Sequence, residues 1–563
     1  MTEPTWLKSY PEGVDYYANF EPKPLFALLD EAVAAYPAND LIDFMDRKFT
    51  YSQIDEMVRR AAKGFQGLGV GKGVKVGLFL PNCPQYVVAY YGILKAGGTV
   101  VNFSPLYSEP ELLHQIEDSH TDIMVTLNLT ALYPKMQAML AQSRVEKLIV
   151  GTMPEVLPFP KNLLFPLVKR KDVAKVPNDA AHVSFEELLN NDGDYEPVEI
   201  DPLEDIAVLQ YTGGTTGVSK GAMLTHAALY INANQTAAWD SEARRGEERM
   251  LGVLPFFHVF AMTVVMNLAI RNGAVIIMHP RFELEAVLKD IAKKKPTLMP
   301  GVPTMYTAIS NHPGISEVDL SSLRVCLSGG APLPLEVKQR FESLTGATLV
   351  EGYGLTESSP VATANPFHGV SKEGSIGLPL PATRIVITDR EDPHKVLGIG
   401  EDGEICIEGP QVMKGYYGRP EATAETIVDG RLHTGDVGHM DEDGYTFIID
   451  RMKDLILCSG YNVYPRHVEE AIYQHPAVEE VTVIGVPDEY RGEAPKAFVK
   501  LKDVGDKPGE EELLEFLKER LGKHELPREI EFRAELPKTM IGKLSKKELV
   551  EEERKKREAA AAG

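Results

Sequence analysis

Tyr211-Thr212-Gly213-Gly214-Thr215-Thr216-Gly217-Val218-Ser219-Lys220-Gly221 follows an apolar run, Ile206-Ala207-Val208-Leu209, and precedes a helix-compatible segment from Thr225 to Trp239. The apolar run reads as a buried strand, so a glycine-rich turn joins strand to helix. Glycines let the backbone turn tightly and present its N–H groups, hydroxyls add donors, and Lys220 adds a mobile cation. That donor set suits a polyphosphate. It departs from the nucleotide P-loop, because Lys220 is followed by Gly221 and no hydroxyl fills the metal-binding position. An ordinary Gly/Thr-rich surface loop has the same composition, so the remaining motifs decide between the two.

Working outward, 563 residues are too many for one typical core, and more than one domain is expected. With 44% hydrophobic and 25% charged residues the composition is that of a globular protein. A formal net charge of −23 excludes a nucleic-acid backbone as the main partner. The four cysteines, Cys83, Cys326, Cys406 and Cys458, form no Cys-x-x-Cys pair. Neither a zinc site nor a disulfide framework is expected, and a reducing cytoplasm fits. The N-terminus has no signal-peptide pattern. The most apolar stretch, Leu251 to Met278, is interrupted by His258, Asn267, Arg271 and Asn272, so no transmembrane helix is expected.

From about Pro24 to Ile200 helix-like and strand-like patterns alternate, as in α/β architecture, and they resume after the glycine-rich loop. Between about 370 and 450 the segments shorten into β-rich runs such as Arg384–Thr388 and Glu404–Glu408. Beyond Asp450-Arg451-Met452-Lys453-Asp454 a compact module of helices and strands follows. The expected division is a large N-terminal domain, 1–452, and a C-terminal domain, 453–563. One stretch stands apart: residues 157–171 are apolar, proline-punctuated and end on Lys169-Arg170-Lys171. They read either as packed core with a basic edge or as a membrane-surface contact, since apolar side chains enter the acyl boundary while cations face lipid phosphates.

Four further motifs carry chemistry. Glu351-Gly352-Tyr353-Gly354-Leu355-Thr356-Glu357 offers an aromatic face for a purine, a hydroxyl for a phosphate, and a carboxylate, Glu357, of the kind that holds Mg²⁺ beside phosphate oxygens. Gly329-Gly330-Ala331 offers a flat backbone surface for an adenine. Asp436, in His433-Thr434-Gly435-Asp436, is suited to two ribose hydroxyls, with Arg451 sharing the sugar. Lys543 stands on a glycine-bearing loop of the last module. Each alone is more often a structural turn or a solvated charge.

In this order they closely resemble the adenylate-forming superfamily of acyl-CoA synthetases, most closely bacterial long-chain fatty acid:CoA ligases. The resemblance covers about Tyr51 to Leu549 and departs at Arg431, where the family often has tryptophan. It implies an α/β fold: α/β subdomains and a small β-rich subdomain in the large domain, and a smaller mobile C-terminal α+β domain. It also implies activation of a carboxylic acid by ATP with Mg²⁺, giving acyl-AMP, then transfer to coenzyme A. By motif match, Thr212, Gly213, Gly214, Thr215, Thr216, Gly217 and Lys220 grip phosphates, and Glu357 with Thr356 holds metal and phosphate. Glu351 to Gly354 with Gly329, Gly330 and Ala331 frame the adenine, and Lys543 bridges carboxylate and α-phosphate. The match places a hinge at Lys453 and the pantetheine arm of coenzyme A against Ser459, Gly460 and Tyr461.

The acid-binding wall follows the phosphate loop, with His258 and Phe260 as candidate acyl contacts and Trp239 as either a gate or a core tryptophan. No Asp or Glu lies between Leu251 and Pro280, so an amino-acid ammonium has no carboxylate to meet there, whereas an alkyl chain gains about 0.8 kcal/mol per buried CH₂. The expected partners are a fatty acid, ATP and coenzyme A, with membrane contact through 157–171. A homodimer is compatible with the sequence. A cytoplasmic enzyme, peripheral on the inner face of the cytoplasmic membrane, fits the resemblance. An aromatic-acid (coumarate-type) ligase and a ligase acylating a carrier protein are the neighbouring alternatives, and a degenerate nucleotide-binding protein is a third.

Overall fold

The computed structural model describes residues 3–212, 219–458, 461–488, 490–503, 507–539 and 542–562. The hydrophobic periodicity near the N-terminus gives the helix Tyr51–Gly67, which buries Ile54, Val58, Ala61 and Phe65 on one face. It starts at a capping box in which Thr50 Oγ1 accepts from the Gln53 N–H and the Gln53 side chain accepts from the Thr50 N–H. Pro84–Lys95 is buried all round, which is why its sequence shows no polar face.

Two sheets organise the large domain. In the first, His182–Ser184, Lys147–Gly151, Thr121–Leu127, Lys75–Leu78, Thr99–Asn102 and Ile206–Thr212 run parallel in that order, and Lys220–Thr225 closes the edge antiparallel. In the second, Asp40–Phe44, Val275–Met278, Arg249–Gly252, Leu298–Gly301, Val325–Ser328 and Thr348–Gly354 run parallel. It continues through antiparallel strands, first Val361–Ala364 and then, within the stretch of about 370–450 that reads as β-rich, Ser375–Pro379, Thr446–Arg451, Arg431–Met440 and Gly403–Glu408. Where a parallel sheet changes character, strand ends leave room for a ligand. Gly301, Ser328 and Gly354 stand at that edge.

The stretch Leu251 to Met278 is a helical segment, Val259 to Arg271, between two strands. Among the described residues no helix is long and apolar enough to cross a membrane. Residues 157–171 are not packed core beyond Leu157. The helix Lys161–Val168 buries none of its residues, and Phe159, Leu167 and Val168 are 79%, 75% and 75% exposed.

Residues after Asp454 build their own cores. Val478–Asp488 and Gly492–Leu501 pair antiparallel, Glu529–Phe532 joins in parallel, and Pro465–Tyr473 and Glu510–Lys518 cover the sheet. Their apolar contacts form clusters around Ile472, Val483 and Leu517 and around Phe498 and Leu549, separate from the large-domain core that runs from Trp6 to Tyr445.

Candidate active site

The strands on either side of the glycine-rich stretch, Ile206–Thr212 and Lys220–Thr225, pair antiparallel as the two legs of a hairpin. Thr212 and Lys220 face each other in register at its base. Residues 213–218, and with them Gly213, Gly214, Thr215, Thr216 and Gly217, lie outside the described residues. The outer leg of the hairpin is clamped by residues 413–417: Met223 N–H donates to Gly415 O (2.8 Å), Lys414 N–H to Met223 O (2.9 Å) and Tyr417 N–H to Gly221 O (2.8 Å). This places Lys220 Nζ 5.1 Å from the centre of the Tyr416 ring.

The Tyr416 hydroxyl donates to Glu357 Oε1 at 2.6 Å, and Met413 N–H donates to Glu357 O at 2.7 Å. Glu357 sits in a short turn, Thr356–Ser358, and is buried. Among the described residues its carboxylate meets a hydroxyl and no cationic side chain. One carboxylate with a free oxygen, next to a hairpin suited to phosphate, fits Mg²⁺, which takes few protein ligands and relies on substrate phosphates.

Gly352, Tyr353 and Gly354 form the end of a strand paired with Val361–Ala364. A Cβ at Gly354 would overlap the Pro360 carbonyl, so the strand passes there only with glycine. The Tyr353 hydroxyl donates to Asp436 Oδ2 at 2.6 Å, and Arg451 Nε lies 2.9 Å from Asp436 Oδ1. Asp436 and Arg451 are register partners across two antiparallel strands. The ion pair holds Arg451 more firmly in its charged form. Asp436 is itself aimed from behind: Glu404 accepts from Gly435 N–H (2.9 Å) and contacts His433 Nδ1 (2.8 Å), and Thr434 Oγ1 accepts from Asp436 N–H (3.1 Å). Cys406 lies beside His433, but burial pushes its thiol up to about 12, and that of Cys83 likewise, so neither is a nucleophile.

Glu351 accepts from Leu333 N–H at 3.1 Å and so anchors the turn that carries Gly329, Gly330 and Ala331. Burial pushes this carboxyl up to about 7. The ring of Phe260 packs where a Cβ on Gly329 would stand. Gly330, with φ of +81°, is faced by Lys543, whose side chain would collide with any Cβ there. Thr304 Oγ1 donates to Gly542 O at 3.0 Å and fixes the lysine loop to the large domain. Burial, with Arg451 nearby, pushes Lys543 down to about 8, while Asp436 opposes the shift.

His258 Nδ1 accepts from Phe260 N–H at 3.3 Å, which puts its proton on Nε2, and burial next to Lys543 pushes it down to about 3. It is a neutral imidazole. The helical segment that follows His258 contributes Val264 and Leu268 to a mostly apolar cavity of about 40 Å³, lined also by Met250, Met299, Leu327 and Phe367, with Asp240 at its wall. Of the two readings of Trp239, its surroundings favour the core tryptophan. Its ring is buried in the core and Nε1 donates to Asn365 O at 3.1 Å, so the one polar atom of the indole is already satisfied.

Tyr461 is not brought to this site. It is exposed in the small domain with its ring against His524, and Ser459 and Gly460 lie outside the described residues. Lys453 is exposed in the short turn Met452–Asp454. Tyr416 and Glu404 were missed in the sequence. The signal for Tyr416 was Lys414-Gly415-Tyr416-Tyr417-Gly418, an aromatic pair between glycines; Glu404 gave none, as its partner His433 is distant in sequence.

A family model described as AMP-binding enzyme matches residues 29–417, and one described as AMP-binding enzyme C-terminal domain matches 467–543. The chain is 45% identical to a long-chain-fatty-acid–CoA ligase of Bacillus subtilis (strain 168), covering 98% of this chain and 99% of that one. It is 40% identical to a long-chain-fatty-acid–CoA ligase of Escherichia coli O157:H7, with 98% of each covered. Among solved structures, the anthranilate CoA ligase AuaEII in complex with anthranoyl-AMP superposes with a TM-score of 0.85 at 26% identity, covering 98% of this chain and 100% of that chain.

Proposed function

We propose, from the premise that this chain belongs to the AMP-binding enzyme family, that it is an AMP-forming ligase joining a long-chain fatty acid to coenzyme A. The full-length likeness to long-chain-fatty-acid–CoA ligases supports the acid, and the site supports the order of events. The observation that carries the reading is the entry of Lys543, from the last domain, against Gly330 and near the Asp436–Arg451 pair of the first.

In the first step a carboxylate oxygen bonds to the α-phosphorus of ATP and the bond to pyrophosphate breaks. Acid and α-phosphate are both anionic, so the barrier is largely repulsion and misorientation. Lys543 neutralises the oxygens as they approach, Lys220 and Thr212 draw the departing phosphates, and Asp436 with Arg451 fixes the ribose. Glu357 would hold Mg²⁺, which supplies charge to the phosphate oxygens. The neutral Nε2–H of His258 donates toward the acid. In the second step the sulfur of coenzyme A bonds to the acyl carbon, the bond to AMP breaks, and the thiol proton passes to solvent. Lys453 is the hinge about which the small domain, 453–563, withdraws Lys543 and brings Ser459, Gly460 and Tyr461 to the thiol.

The alkyl chain extends along the helical segment after His258, where the cavity wall carries Met250 and Met299, flexible side chains that re-pack around a chain. A narrow resting cavity then widens only when filled. Measuring AMP formed from ATP and free coenzyme A with acids from acetate through cinnamate to oleate tests the reading; oleate is expected to be the best substrate. A preference for cinnamate would make it a coumarate-type ligase, and absence of ATP–pyrophosphate exchange with every acid would remove the catalytic reading.

The exposed helix Lys161–Val168 supports reversible membrane association, with Leu163, Leu167 and Val168 entering the interface and Lys169, Arg170 and Lys171 facing anionic headgroups. Changing those three cations to Glu is expected to abolish flotation with anionic liposomes. Unchanged flotation would remove this contact.

A further inference from the structure

Two groups of the phosphate side of the site come from distant parts of the chain, Lys220 from the glycine-rich hairpin and Glu357 from the turn after the aromatic strand, and Tyr416 touches both. Its hydroxyl donates to Glu357 Oε1 at 2.6 Å while Lys220 Nζ lies 5.1 Å from its ring centre. Burial beside the carboxylate raises the phenol well above its ordinary range, so it remains a donor. The residue is itself held. Its backbone bridges to Ala222 on the hairpin leg, its N–H donates to Thr423 Oγ1 (2.9 Å), and it is buried.

We propose that Tyr416 is a positioning residue for the adenylation step, one that sets the rotation of the Glu357 carboxylate and gives Lys220 a resting platform. The proposal rests on the ligase reading above. A carboxylate with Oε1 engaged by a fixed phenol keeps Oε2 free for the metal–phosphate side. Without that bond both oxygens turn freely and a productive arrangement is one of several. The aromatic face, in turn, holds an ammonium near the hairpin base without neutralising it, which a carboxylate partner would do. The two contacts predict separable defects. Tyr416→Phe keeps the ring and loses the hydrogen bond; Tyr416→Leu loses both.

The test compares wild type with both variants in ATP–pyrophosphate exchange with oleate, titrating ATP and Mg²⁺ separately, and in thioester formation from supplied oleoyl-AMP. For Tyr416→Phe the exchange kcat is expected to fall about tenfold, the loss of a hydrogen bond to a charged group, and the Mg²⁺ concentration for half-maximal rate to rise. Tyr416→Leu is expected to add a several-fold rise in KM for ATP. Thioester formation from oleoyl-AMP should be unchanged, because pyrophosphate and its metal have already left. A merely structural role would lower thermal stability and both half-reactions together, and that result would overturn the proposal; so would wild-type exchange and Mg²⁺ dependence in Tyr416→Phe. If Tyr416→Leu does not fold, Tyr416→Phe alone decides. Lack of exchange by the wild type would instead sink the ligase reading itself.

Discussion

The two walls of the site are built in opposite ways. On the large-domain wall the carboxylates are held by fixed partners: Asp436 takes bonds from Tyr353 and Arg451, Glu357 takes one from Tyr416, and the register of paired strands places Asp436 opposite Arg451. On the small-domain wall Lys543 enters with its proton weakly held, near about 8, on a loop tied to the large domain through Thr304 and Gly542. Paired groups cost little to keep in place, whereas an unpaired ammonium in a dry site is waiting for an anion. The difference is what the proposed hinge requires, one wall that stays and one that arrives and leaves.

The comparison breaks most sharply at Lys543. Lys543→Ala is expected to slow acyl-AMP formation roughly 10²- to 10³-fold, the weight of one preorganised donor, while thioester formation from supplied acyl-AMP survives. Measuring pyrophosphate and AMP release separately checks it, and equal loss of both steps would mean that Lys543 belongs to the fixed wall after all. Next in size is the hinge. Lys453→Pro fixes φ in the turn at 452–454 and is expected to lower the coenzyme A step roughly tenfold or more with pyrophosphate release retained. Undiminished turnover would mean that the second wall does not need to move there. The smallest effect is in pH. Lys543 is charged below about 8 and loses its proton as pH rises through that value, so adenylation kcat/KM should fall on the alkaline side. Lys543→Arg, charged throughout, should lose that limb even where its overall rate is lower. Persistence of the limb would assign it to another group.

Much of the fixed wall was legible in the sequence because its pieces are local. Gly352-Tyr353-Gly354, Asp436 and the strand before Thr212 are contiguous signals, and secondary structure places contiguous residues predictably. The helix Tyr51–Gly67 is local in the same way, since its apolar residues recur on one face. What escaped were relations between segments. Tyr416 answers Glu357 across 59 residues and Glu404 answers His433 across 29, and neither pairing leaves a trace in spacing. Trp239 had two readings because burial and a gate both want a large ring, and the bond to Asn365 O, 126 residues away, is what favours the core one. The bond from Leu333 N–H to Glu351, across 18 residues, leaves no trace in spacing either.

Gly330 contributes by what it lacks. At a φ of +81° and with Lys543 occupying the space of a Cβ, its role is to be absent. A survey that truncates side chains one by one would weigh Asp436, Arg451 and Glu357 and pass over this position, because alanine here is an addition. An added methyl group would be strained at that φ and would press on the far end of the Lys543 side chain, which is flexible enough to move aside. Alanine at 330 would therefore disturb two things at once, the left-handed turn of the large domain and the seat of a lysine from the small one.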